Sequence, residues 1–165
     1  MKTEKLRRRE GKTDYKARLS LLKSGIPRIV VRKTNRYIIA QCIKSKEAQD
    51  SVVIGLTSKE LIKYGWPKEW QGSLKSIPAA YLTGFLLGKR ILDEEKKAKA
   101  ILDMGLMRNV KGGRIYAVLA GLIDAGVEIK CKKEMLPEKE RIIGMHMKKD
   151  IEKKLDEIKE KINKE

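Results

Sequence analysis

Residues 28–43, RIVVRKTNRYIIAQCI, run for sixteen positions without one Asp or Glu. Two β-branched, almost continuously apolar stretches, PRIVVR and YIIAQCI, flank the short polar link KTNR. Stretches of that length and composition read as strands covered on both faces. The link reads as a tight hairpin, with Asn35 in the left-handed conformation. Strands covered on both faces require other layers around them, which restricts the chain to a layered architecture.

The rest of the chain supplies those layers. DSVVIGLTS follows a charged turn as a third strand, and SKELIKYGWPKEWQGSLKS reads as loop and short helix pinned by Trp66 and Trp70. IPAAYLTGFLLGKRIL is a helix with Pro78 in its first turn. Its small residues Ala80, Gly84 and Gly88 recur every four positions, as expected for a helix seated close against a sheet. AKAILDMGL gives a strand ending at Asp103, and VKGGRIYAVLAGLIDAGVEIK a Gly-Gly turn, a helix and a short strand or loop. The order β-β-β-α-β-α makes this an α/β chain, a mixed β-sheet with packed helices. Ile151, Leu155, Ile158 and Ile162 recur at helical spacing in a C-terminal amphipathic helix. Seven lysines and six acids over 148–165 keep that helix apart from the basic surface. The division expected is a basic N-terminal extension with a short helix over 1–25, an α/β core over 26–135, and a C-terminal extension over 136–165.

Charge narrows the function. The net charge is +17, from 39 Lys and Arg against 22 Asp and Glu. The first 36 residues hold thirteen cations against three acids, an excess of ten. Such an imbalance repels itself in the compact state and is normally kept because a polyanion neutralises it, which points to nucleic acid. The first thirteen residues, MKTEKLRRREGKT, lack an apolar face for a membrane surface and read as a disordered, solvated tail. DYKARLSLLKSG follows as a short helix showing Lys16, Arg18 and Lys23, and no apolar run is long enough to span a bilayer. A terminus charged from its second residue does not read as a secretory leader. Cys42 and Cys131 read as reduced core residues of an intracellular protein.

Catalytic and metal chemistry find little to work with. His146 is the single histidine, no cysteine pair has ligand spacing, and VKGGRIY lacks the Gly-Lys-Ser/Thr step of a phosphate-binding loop. A two-metal nuclease needs several carboxylates at strand ends, and only Asp103 is so placed. No catalytic residue, metal ligand or cofactor is expected. The stronger constellation is cationic: Arg108, Lys111 and Arg114 surround Gly112-Gly113 at a helix start, where glycines let a phosphate approach.

The hairpin RIVVRKTNRYIIAQCI, the block DMGLMRNVKGGRIYAVLAGLIDAGVEI and the lead-in RRREGKTDYKARLSLLKSG together resemble ribosomal protein eighteen of the large subunit. The likeness runs from about Leu6 to about Ile143, and KYGWPKEWQGSLKSIPAAYLTG is similar to the archaeal and eukaryotic branch. The resemblance implies an RNA-binding structural protein, not an enzyme, in the cytoplasmic ribosome. It implies 5S rRNA, 23S rRNA and neighbouring large-subunit proteins as partners, and no membrane. RNA contacts carry over onto Arg7, Arg8, Arg9, Lys12, Thr13, Tyr15 and Arg18. They carry over likewise onto Arg32, Lys33, Thr34, Asn35 and Arg36 at the hairpin tip, and onto Arg108, Lys111, Gly112, Gly113 and Arg114. The alternative is an RNA-binding or RNA-folding protein outside the ribosome, which should bind many RNAs alike.

Overall fold

The computed structural model describes residue 3 and residues 5–47, 49–94, 98–145 and 151–164, with Glu69 and Gln71 described in backbone only. His146 and the first residues of the expected C-terminal amphipathic stretch, 148–150, lie outside the described residues.

The chain opens with α1 (Leu6–Arg9) and α2 (Tyr15–Lys23). Residues 6–9 are thus helical where the sequence reads as structureless tail. Asp14 caps α2 by accepting from the amides of Lys16 and Ala17. Next come β1 (Arg28–Lys33), β2 (Ile38–Lys46) and β3 (Gln49–Thr57), then α3 (Ile77–Glu94), β4 (Lys99–Asp103), α4 (Arg114–Ala125), β5 (Glu128–Ile129), α5 (Lys139–Ile143) and α6 (Ile151–Lys164). Five strands form one mixed sheet in the order β3-β2-β1-β4-β5. The β1–β2–β3 meander is antiparallel, whereas β4 runs parallel to β1 and β5 parallel to β4. The architecture is the α/β mixed sheet expected from the strand–helix order, with β5 resolving the open strand-or-loop reading.

Strand alternation sorts β1 cleanly. Ile29 and Val31, with Ala40, Cys42, Leu56 and Ala100, face a core completed by α3 and α4. The opposite face carries Arg28, Val30 and Arg32 beside Ile39, Gln41 and Ile43. Ile29 to Val31 are all buried, which explains their unbroken apolar character. Cys42 belongs to the core as expected, but Cys131 lies two residues beyond β5, half-buried and packed against the edge of the core and not within it.

The small-residue stripe of α3 meets a helix, not the sheet. A methyl group on Gly84 would run into the carbonyl of Val118, and one on Gly121 into the carbonyl of Tyr81. A methyl on Gly88 would come 2.5 Å from the Ala125 side chain. The two apolar helices therefore touch backbone to backbone, which only glycine permits. The Tyr81 hydroxyl donates to Asp124 Oδ2 at 2.7 Å across the same pair. Burial, then the Asp124 carboxylate, push the Tyr81 phenol well above its ordinary range. Gly126, at φ 111°, ends α4 in the left-handed conformation.

Trp66 is 3% exposed and packs edge-on to Trp70, so the pair anchors the loop between β3 and α3 as its sequence suggests. From the other side α6 buries Ile151, Leu155, Ile158 and Ile162 in the same core cluster, with Lys154 4.9 Å from the Trp70 ring centre. The helix is amphipathic as expected.

Gly84→Ala should lower unfolding free energy by about 3 kcal/mol through overpacking against Val118, read from the denaturant midpoint. A loss under about 0.5 kcal/mol, the usual range for a harmless surface change, would contradict backbone contact between α3 and α4.

Candidate nucleic-acid interface

The hairpin tip is organised by Thr34. Its Oγ1 accepts from the amides of Tyr37 at 2.8 Å and Arg36 at 3.3 Å, and donates to the Tyr37 carbonyl at 2.8 Å. The Thr34 amide also donates to the Tyr37 carbonyl. One sequence expectation changes here. The left-handed conformation assigned to Asn35 is not used; among the described non-glycine residues only Glu47 has positive φ. A threonine hydroxyl bonding its own turn supplies the reversal instead. That same bonding engages the Thr34 hydroxyl within the turn. Asn35 and Arg36 remain exposed. Arg32 lies back along the sheet, packed against Gly105, with Nη1 donating to the Met104 carbonyl at 3.3 Å.

Behind the tip, residues 107–114 form a tight loop leading into α4. Gly112 has φ 63°, and its amide donates to the Met135 carbonyl at 3.0 Å. The Gly113 amide donates to the Val110 carbonyl, and a methyl group on Gly113 would stand 2.9 Å from that oxygen. Both glycines are therefore required by the loop itself, and their amides are occupied within it. The first intrahelical bond of α4 runs from the Ala117 amide to the Gly113 carbonyl, so the amides of Arg114 to Tyr116 have no intrahelical acceptor. This loop borders a groove of ≈ 650 Å³ lined by Lys33, Arg108, Lys111, Arg114 and Arg141, with no carboxylate among its described walls. None of these five cations has an ion-pair partner among the described residues.

The groove unites two of the three basic sequence elements: Lys33 comes from the hairpin, and Arg108, Lys111, Gly112, Gly113 and Arg114 from the glycine block. The N-terminal element is held elsewhere, by an ion network centred on Arg28. That guanidinium is 2% exposed and donates to Asp103 Oδ2 and Asp50 Oδ1, each at 2.7 Å, and to Ser45 Oγ at 3.0 Å. Arg18, from α2, meets the second oxygen of Asp50 at 2.8 Å. Arg18, read from sequence as an RNA contact, is thereby committed to fixing α2 on the sheet. Nearby, the Arg7 Nε donates to the Thr13 hydroxyl, Lys12 pairs with Glu10, and the Lys5 ammonium sits over the Tyr15 ring. Arg9 lies exposed in the last turn of α1.

Residues 1–100 match the family of ribosomal large subunit proteins 60S L5 and 50S L18. The chain is 53% identical over 144 residues to the large ribosomal subunit protein uL18 of Korarchaeum cryptofilum, covering 86% of this chain and 70% of that relative. It is 47% identical over 141 residues to uL18 of Methanoculleus marisnigri, covering 86% and 78%. An alignment of that extent includes both hairpin and glycine block, wherever it starts. The chain belongs to the L18 family of the large ribosomal subunit. It is accordingly a structural component of the ribosome, works in the cytoplasmic ribosome and has ribosomal RNA and protein as its surroundings.

For an L18-family protein, a cationic groove free of carboxylates is the chemistry that RNA phosphates require. Asp103 cannot serve as a metal ligand without releasing Arg28, and its Oδ1 also accepts from the Gly105 amide at 2.9 Å. No cluster of metal-ligating side chains occurs among the described residues, and no described helix is long and apolar enough to cross a membrane. Sequence reading missed Arg141. It belongs to the five-residue helix α5, has no motif around it, and reaches the groove only because the chain folds back beside α3.

Burial works to raise the Asp50 pKa, but hydrogen bonds from Ser45, Arg18 and Arg28, with the Arg28 charge, outweigh it and hold the carboxyl below its ordinary value. A depressed folded pKa gives stability that is full above the unfolded value of about 3.9 and is lost as pH falls through the folded one. Asp50→Asn should therefore flatten the acid limb of the stability–pH curve and free α2 to exchange its amides faster. An unaltered acid limb would show that the carboxylate carries no such linkage.

Proposed function

We propose that this chain binds 5S rRNA and attaches it to the 23S rRNA in the central protuberance of the large subunit, without catalysing a reaction. The observation that carries the reading is the groove bordered by Lys33, Arg108, Lys111, Arg114 and Arg141 with no carboxylate to neutralise them. Lysine and arginine displace counterions from phosphates and supply affinity with little sequence content. RNA duplexes hide their major-groove edges, so discrimination falls to shape, 2′-hydroxyls and unstacked bases. A rigid hairpin ending in Asn35 and Arg36 suits such a surface. The extension 1–25 adds Arg7, Arg8, Arg9, Lys12, Thr13 and Tyr15, with Arg18 holding it to the core. Residues 26–135 present the groove and hairpin, and 136–165 close it through Arg141 and offer the outer side of α6 to neighbouring ribosomal proteins. The commitment of Asp103 to Arg28 supports a non-enzymatic role.

The test is a titration against purified 5S rRNA and against a tRNA, at two salt concentrations. Preference for 5S rRNA should survive at about 0.2 M salt, where non-specific binding has faded. Arg36→Glu should weaken it by about tenfold without moving the thermal midpoint. Equal affinity for both RNAs, lost together as salt rises, would instead describe a general RNA-binding protein.

A further inference from the structure

We propose that the groove at the start of α4 holds a single unstacked nucleotide of RNA, its phosphate on the cationic rim and its base against an apolar floor. The inference rests on the RNA-binding reading and narrows it to one subsite.

The rim and the floor differ in chemistry. The rim cations come from three separate elements: Lys33 from β1, Arg108, Lys111 and Arg114 from the loop into α4, and Arg141 from α5. The same groove is lined by the apolar side chains of Ile77, Met107, Val110 and Ile115 and by Tyr116. Tyr116 turns its hydroxyl away to donate to Asn109 Oδ1 at 2.8 Å, leaving its polar end satisfied without a ligand. Val110 is 52% exposed, an apolar side chain left in water beside five charges. A duplex offers a protein surface phosphate, ribose and shallow base edges, none of which needs an apolar floor. An unstacked base has two apolar faces and is held in single-stranded sites by such surfaces. The volume of ≈ 650 Å³ is far more than a phosphate needs and falls within the about 300–1,000 Å³ usual for small-molecule pockets. The groove is also held open in advance, because the loop is fixed by the Gly112–Met135 and Gly113–Val110 hydrogen bonds.

The test uses the full chain and two single-stranded pentaribonucleotides of equal phosphate number, one with bases and one abasic. The base-bearing strand should bind about fivefold tighter, the size expected for one held base. Val110→Ser, a neutral change at an exposed position, should cut that preference below about twofold while leaving the affinity for the abasic strand unchanged. Arg141→Ala should weaken both strands alike, as a rim contact to phosphate does. Equal binding of the two strands by the unaltered chain, or a preference undiminished by Val110→Ser, would overturn the nucleotide subsite while leaving RNA binding intact. Failure to bind either strand or 5S rRNA would instead remove the RNA reading itself.

Discussion

Arg28 stands at the centre of the sheet with its charge buried, and the positions of the basic elements follow from how that charge is met. One guanidinium ties β1 to Asp50 on β3, Ser45 on β2 and Asp103 on β4, joining the antiparallel meander to the parallel half. Its Nε finds no partner among the described atoms, so the site is held by the two carboxylates and not by complete hydrogen bonding. Removing a carboxylate would leave the buried Arg28 charge short of a partner, a change that costs up to about 3–5 kcal/mol for a fully buried pair. Through Asp50 the same network reaches Arg18 and fixes α2. Through Asp103, which also accepts from the Gly105 amide, it fixes the turn on which Arg32 lies.

With the negative charge of the central strands consumed there, the far end of β1 is left purely cationic. Lys33 joins the Arg108–Arg114 loop and Arg141 around one groove, while the carboxylates nearest in the sheet are already neutralised. The interior supports this division of labour. Gly84 and Gly121 let α3 and α4 lock backbone to backbone, so the helix that begins at the groove has a fixed axis. The near-neutral α6 packs on α3 and buries its apolar stripe in the same core cluster.

Much of this was legible in the residues, wherever the signal was local. Nearly continuous apolar, β-branched runs located all three strands of the meander, and the apolar period located α3, α4 and α6. The cation-rich hairpin and glycine block were legible as charge without a counterion. What sequence concealed was pairing over distance. The Gly84 stripe announced a close approach but not that α4, rather than the sheet, makes it. Arg18 looked like any other arginine of a basic tail, because Asp50 lies 32 residues further on. Thr34 outcompeted Asn35 for the turn through hydroxyl hydrogen bonds that residue preference does not weigh. Arg141 carried no local signal at all, since only the return of α5 beside α3 brings it to the groove.

On the proposed function, the hairpin tip, the groove and the basic extension meet RNA while the α6 side does not. Amide hydrogen exchange of the chain alone and bound to 5S rRNA tests it most directly. The account predicts slowed exchange at residues 6–13, 34–37, 107–116 and 139–143 on binding, and unchanged exchange along 151–164. Slowed exchange confined to 151–164, with the hairpin tip and the loop into α4 unaffected, would contradict it.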